Sequence, residues 1–187
     1  MNSLTFRPAV PADVERIAAL VNVAYRGEHS KRGWTTEADL LEGRRTEAEE
    51  VRRLLAQPYS AILLCLQGTE LVGSVHIEKA GDHADLGMFV IEPALQGRGI
   101  GKHLLALAEQ TAQQQWGVDK IVMAVISLRQ ELIVFYQRRG YRRTGILRPF
   151  PINPAMWTPK VPGLQLELLE KFLVDERWPT RVKCAPS

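Results

Sequence analysis

Three glycines within five residues, in Gln96-Gly97-Arg98-Gly99-Ile100-Gly101, constrain this chain more than any other stretch. Glycine at 97, 99 and 101 removes three β-carbons from one short turn, so backbone N–H groups can point inward and approach a bulky anion closely. The residues from Lys102 to Gln115 then read as a helix. Ile100, Leu104, Leu107, Ala108 and Thr111 follow the spacing of one buried stripe, and Gly117 supplies a stop. A helix N-terminus reached through free amides, with Arg98 and Lys102 beside it, is a ready phosphate site.

Two familiar phosphate loops do not fit. A dinucleotide G-x-G-x-x-G begun at Gly99 needs glycine where Leu104 stands, and one begun at Gly97 needs it where Lys102 stands. A Walker loop needs Ser or Thr after the lysine, and His103 follows Lys102.

With 187 residues, 45% of them hydrophobic, the chain is long enough for one filled core, and no polar linker divides it. The net charge of +3 owes much to the pairs Arg44-Arg45, Arg52-Arg53, Arg138-Arg139 and Arg142-Arg143. Such scattered pairs read as solvated helix and turn faces rather than a nucleic-acid patch, and an anionic ligand accounts for some of the surplus. Cys65 lies in an apolar run and Cys184 near the end, which is no disulfide framework. The opening residues lack an apolar signal region, and no window approaches eighteen uninterrupted apolar residues. The expectation is a cytoplasmic protein with no membrane association. His29, His76, His83 and His103 show no metal-ligand spacing, so no metal is expected.

In chain order, Leu4 to Arg7 alternates as a short strand. A helix follows from Pro11, with Val14, Ile17, Ala18, Val21, Ala24 and Tyr25 in one stripe and Gly27 at its end. The polar segment Glu28 to Leu41 carries Trp34, either a wall of a binding site or a lid residue packed on its own domain. Thr46-x-x-Glu49 reads as a capping box for a helix that runs to Pro58. Tyr59 to Leu66 and Leu71 to Lys79 read as paired strands. On the second, His76 and Glu78 share the face opposite Val75 and Ile77, and are candidates for acid–base work or acceptor contact. Ala84 to Ile91 is the strand that delivers the chain to the glycine turn, and strict alternation places Asp85, Gly87, Phe89 and Ile91 on one face. Lys120 to Ile126 is a buried strand, Glu131 to Arg139 a helix, and Leu164 to Leu169 a final strand after the proline-rich stretch from Arg148 to Gly163, a second candidate wall.

The glycine turn, preceded by Phe89-x-Ile91-x-Pro93, resembles the acetyl-CoA signature of the GNAT superfamily of N-acetyltransferases. Phe135-Tyr136-x-x-x-Gly140-Tyr141 resembles that superfamily's closing signature, and the two stand in its order and spacing. The resemblance covers residues 4–171 and implies one α/β domain with a mixed, mostly antiparallel sheet flanked by helices, leaving 172–187 as a tail without regular structure.

It implies that the amides of Gln96, Gly97, Arg98, Gly99, Ile100, Gly101 and Lys102 hold the pyrophosphate of coenzyme A. The backbone of Phe89, Val90 and Ile91 is expected to pair with pantetheine. It further implies that Tyr136 protonates the departing thiolate, which suits a phenol that stays protonated at neutral pH. Some members carry a catalytic Glu where Asp85 stands; Asp is one methylene shorter. Arg129 replaces an Asn that contacts pantetheine in many members, and an arginine there can reach a phosphate instead. An acceptor amine, small molecule or peptide, is then deprotonated by Asp85 or Glu78, directly or through water, and attacks the thioester of acetyl-CoA, with Trp34 and His76 as acceptor contacts. A homodimer is the default assembly. Two other readings remain open on sequence: a non-catalytic acyl-CoA-binding module, and a nucleic-acid-associated protein using its arginines.

Overall fold

The computed structural model describes residues 3–173; the expected tail, 172–187, begins at a residue that still belongs to the last strand, and from 174 on it lies outside the described residues. The elements in chain order are β1 (Leu4–Pro8), α1 (Val14–Tyr25), the one-turn α2 (Gly27–Ser30), β2 (Leu41–Gly43), α3 (Ala48–Ala56), β3 (Ser60–Gln67) and β4 (Glu70–Ala80). They continue with β5 (His83–Ile91), α4 (Ile100–Trp116), β6 (Lys120–Ile126), α5 (Gln130–Gln137), β7 (Arg142–Pro149), β8 (Trp157–Pro159) and β9 (Gln165–Phe172). Seven strands form one sheet in the order β1-β3-β4-β5-β6-β9-β7, and β2 pairs with β8 in a separate ribbon. Every neighbour in the large sheet is antiparallel except β5 and β6. This is the mixed, mostly antiparallel sheet expected.

Alternation along β3 explains its unbroken apolar run, because both faces of the sheet are covered. Leu63 and Cys65 pack with α4 and α5, while Ile62, Leu64 and Leu66 pack with α1 and α3. The stripe of α1 is buried as its spacing requires. In α4 the stripe turns by about one residue: Leu105 and Ala112 are buried with Leu104 and Ala108, whereas Leu107 and Thr111 stand at its margin. The capping box at Thr46 does not form. The N-cap is Glu47, and the Thr46 hydroxyl donates to Glu50 Oε2 at 2.7 Å.

Two departures from regular pairing position the site. In the β4–β5 ladder His76 faces Gly87 but Ser74 faces Val90, so Met88 and Phe89 together oppose Val75. Met88 takes a φ of +41°, the left-handed conformation of a bulge residue. The bulge reverses the faces. Leu86 and Phe89 both pack on the α4 side, while Met88 and Val90 turn toward α1. The expected shared face of Asp85, Gly87, Phe89 and Ile91 is therefore corrected, since a period of two does not survive an inserted residue. The second departure is a wedge. Parallel pairing of β5 with β6 covers only Ala84–Ile121 and Asp85–Val122, after which the strands part, while β6 stays paired with β9 along its length. The edge of β5 from Gly87 to Ile91 is left facing an open groove.

His76 and Glu78 do share a face of β4, but α1 and α3 cover it. His76 is buried and exchanges a 2.9 Å hydrogen bond between its Nε2 and Ser60 Oγ. Burial pushes its imidazole down to about 4. A histidine whose folded pKa lies below its unfolded value stabilises the fold fully above the unfolded value and loses that contribution as pH falls toward the folded one. Unfolding free energy measured in urea is thus expected to drop by roughly 3 kcal/mol between pH 6.5 and pH 4 from this group. His76→Gln is expected to flatten that slope.

Candidate active site

The groove begins at the end of β5. A short turn at Pro93–Leu95 leads through Gln96 to Gly97 and Gly99, whose φ values of +78° and +83° belong to the left-handed region that side chains disfavour. Gly99 is the N-cap of α4, and no side chain caps that end, so the amides of the first turn are left for another acceptor. These residues line a compartment of about 240 Å³ with Phe89, Ile91 and Phe135. Lys102 reaches its rim; Arg98 is exposed beside it.

A second compartment of about 260 Å³ lies across the open edge of β5, walled by β6, by Phe150 and Trp157, and by Arg26, Glu37 and Arg45. Tyr25, Phe89, Leu132 and Tyr136 line both compartments. Tyr136 is buried, wedged edge-on against Phe135 and Tyr141 with ring centroids 5.3 and 5.6 Å away. Burial drives its phenol far above the ordinary value, so it stays protonated, and no hydrogen bond from the described residues contributes to that shift. The Tyr25 hydroxyl donates to the Phe89 carbonyl at 3.0 Å, and burial, with Glu37 nearby, pushes that phenol up to about 12.

Several expected residues hold the groove's shape. The Gln96 side chain accepts from the Trp34 and Thr35 amides and donates to Thr35 Oγ1 and to the Ile91 carbonyl. From the other side Arg129 donates to the Trp34 carbonyl at 3.0 Å, to the Thr35 carbonyl at 3.2 Å and to Glu131 Oε1 at 2.5 Å. The expectation that Arg129 reaches a phosphate does not match its placement: each of its three guanidinium nitrogens is engaged in one of these bonds, and it lines the compartment away from the glycine turn. Trp34 packs at a tilt against Phe135, ring centroids 5.3 Å apart, and lines the glycine-turn compartment, not the second one where an acceptor wall was expected. Gly33 fits here because an added Cβ would meet Gln96 Oε1 at 2.5 Å. Gln96→Ala removes the three bonds that clamp this loop to the turn, together with the one to Ile91, and faster amide hydrogen exchange at Trp34 and Thr35 is the expected result.

Three expected acid–base or acceptor residues lie elsewhere. Asp85 and Glu78 face each other across the β4–β5 ladder before the bulge, outside both compartments, with Asp85 beside His83. His76 is enclosed beneath α3 as described. Val90 is buried toward α1, so only its backbone belongs to the groove edge. Conversely the sequence does not single out Tyr25, Glu37 or Arg45: Tyr25 reads as the last residue of a core stripe, and a lone Glu or Arg in polar sequence carries no periodic signal. Among the described residues no three His, Cys, Asp or Glu side chains gather as a metal site, and no helix is long and apolar enough to cross a membrane.

The fold is shared with solved acetyltransferases. A GNAT-family acetyltransferase from Streptococcus pneumoniae superposes with a TM-score of 0.66 over 92% of this chain and all of its own, at 20% identity. The acetyltransferase (GNAT) family model matches residues 18–141, and the chain belongs to this family of N-acetyltransferases. It is 31% identical over 132 residues to blasticidin-S acetyltransferase of Streptomyces morookaense, covering 70% of this chain and 85% of that one. It is also 29% identical over 96 residues to aminoalkylphosphonate N-acetyltransferase of Salmonella typhimurium. That match covers 48% of this chain and spans 62% of the relative's length.

Proposed function

We propose that this chain moves the acetyl group of acetyl-CoA to the primary amine of a small acceptor by direct attack, with Tyr136 as general acid. One observation carries the reading: two compartments, one floored by uncapped helix amides and one aromatic, share Tyr136 and the free edge of β5 as their common wall. The glycine turn fits the pyrophosphate of the donor, and the β5 edge suits the extended pantetheine arm. The names of the two curated relatives, one for blasticidin S and one for aminoalkylphosphonates, agree with a small acceptor rather than a folded protein.

In the reaction the amine nitrogen bonds to the thioester carbonyl carbon, the C–S bond breaks, and one amine proton is lost as the sulfur gains one. A phenol held protonated by burial donates to the forming thiolate, and the ammonium of the adduct, a strong acid, resupplies it. With Asp85 and Glu78 outside the compartments and Glu37 engaged with Arg26, the acceptor enters as the free amine. Accordingly kcat/KM is expected to rise with pH until the acceptor's own amine is deprotonated, and Asp85→Asn and Glu78→Gln are expected to leave turnover essentially unchanged. Release of CoA thiol over a panel of amines, read with the acetylated product by mass spectrometry, tests the assignment. Thermal stabilisation by acetyl-CoA without thiol release from any amine would leave only a binding module.

A further inference from the structure

The second compartment is basic. Among the described residues, Arg26, Arg45 and Arg129 line it against a single carboxylate, Glu37. Two of these cations are already matched: Arg26 pairs with Glu37, and Arg129 with Glu131 and two main-chain carbonyls. Arg45 is not. Among the described residues its guanidinium has no carboxylate and no hydrogen-bond partner, and its Cζ lies 5.8 Å from the centroid of the Tyr25 ring. The residue is half-buried, and its backbone is fixed, since the Arg45 amide donates to Asn22 Oδ1 at 2.7 Å and Asn22 Nδ2 donates to the Thr46 carbonyl at 3.0 Å. Arg26, itself buried, has an Nε without a partner among the described residues. Donors and positive charge therefore outnumber acceptors in this wall, an arrangement that is costly until an anion completes it.

The geometry points to an acceptor that bears an acidic oxyanion, a carboxylate or a phosphonate, beside its primary amine, with the oxyanion paired to Arg45. This rests on the acetyl-transfer reading above and deepens it by naming the acceptor class. Tyr25 carries Arg45 on its ring and bonds the Phe89 carbonyl through its hydroxyl, so the oxyanion site lies one aromatic ring from the groove edge where the thioester is read to lie. Such spacing, in about 260 Å³ walled by Phe150 and Trp157, selects a short acceptor. A polycationic amine meets like charge there. The oxyanion takes no part in bond making; it orients the amine, which forms the new C–N bond as the thioester C–S bond breaks and a proton passes to sulfur.

The test compares matched pairs of short primary amines, one member bearing a carboxylate or phosphonate and the other its uncharged amide or ester, with linear diamines alongside. Thiol release and calorimetric binding to the CoA-loaded protein are both read. The acidic member is expected to win, carboxylate and phosphonate arms showing which oxyanion fits better. In Arg45→Met its kcat/KM or affinity is expected to fall about 10- to 100-fold relative to the uncharged partner, the loss typical of a hydrogen bond to a charged group. Arg45→Lys, which keeps the charge, is expected to recover part of the preference. A preference for uncharged amines or diamines, failure of every acidic amine both to bind and to react, or an acidic preference that survives Arg45→Met overturns the inference. Arg45-dependent binding of acidic amines without acetylation would sink the acetyl-transfer reading and leave the oxyanion site standing.

Discussion

Tyr136→Phe is expected to lower kcat with acetyl-CoA and a productive amine by about 100-fold or more, within the range general-acid catalysis contributes. The expectation is sharp because the substitution removes little else. No hydrogen bond from the described residues contributes to the shift of that phenol, and the ring keeps its edge contacts with Phe135 and Tyr141. Melting temperature and the dissociation constant for acetyl-CoA are expected to stay near those of the wild type, and the loss is expected in kcat rather than KM, as for an interaction made only in the transition state. An unchanged kcat would remove Tyr136 from the chemistry and turn attention to Tyr25, the other phenol shared by both compartments.

Gly99→Val is expected to weaken acetyl-CoA binding by more than about 100-fold, since the amides proposed to hold its pyrophosphate sit on a left-handed turn that a β-branched residue strains. Some of any loss would come from strain alone. Gly81, in the turn from β4 to β5 with a φ of +66° and open space around it, supplies the control. Gly81→Val carries a comparable strain of about 1–2 kcal/mol away from the groove. It is expected to lower the melting temperature while leaving binding intact. Equal loss of binding in both variants, measured by calorimetry, would mean that the glycine turn does not grip the donor.

The parts of the fold legible in the sequence are those written in repeated spacing. The stripe of α1, the unbroken apolar run of β3 and the glycines that bracket α4 each follow from a period or a backbone requirement. The active groove depends on features with no period. One inserted residue at Met88 turns Phe89 to the groove side and Asp85 to the other face, and no local composition marks it, because every residue from Leu86 to Ile91 except glycine is apolar. The three-residue pairing of β2 with β8 joins two loops far apart in the chain, too short for alternation to register. Gln96 and Arg129 could be singled out by motif, yet their part in clamping Trp34 and Thr35 rests on contacts more than 60 residues distant in sequence. In the sequence Arg45 is only half of a basic pair; burial and the lack of a counter-ion among the described residues separate it from Arg44, which is exposed and paired with Glu47.

Direct transfer across the shared wall is tested most simply by initial rates of CoA thiol release, measured over a grid of acetyl-CoA and amine concentrations. If amine and thioester must occupy the two compartments together, double-reciprocal lines intersect. Parallel lines, the mark of an acetylated enzyme formed before the amine arrives, would contradict it.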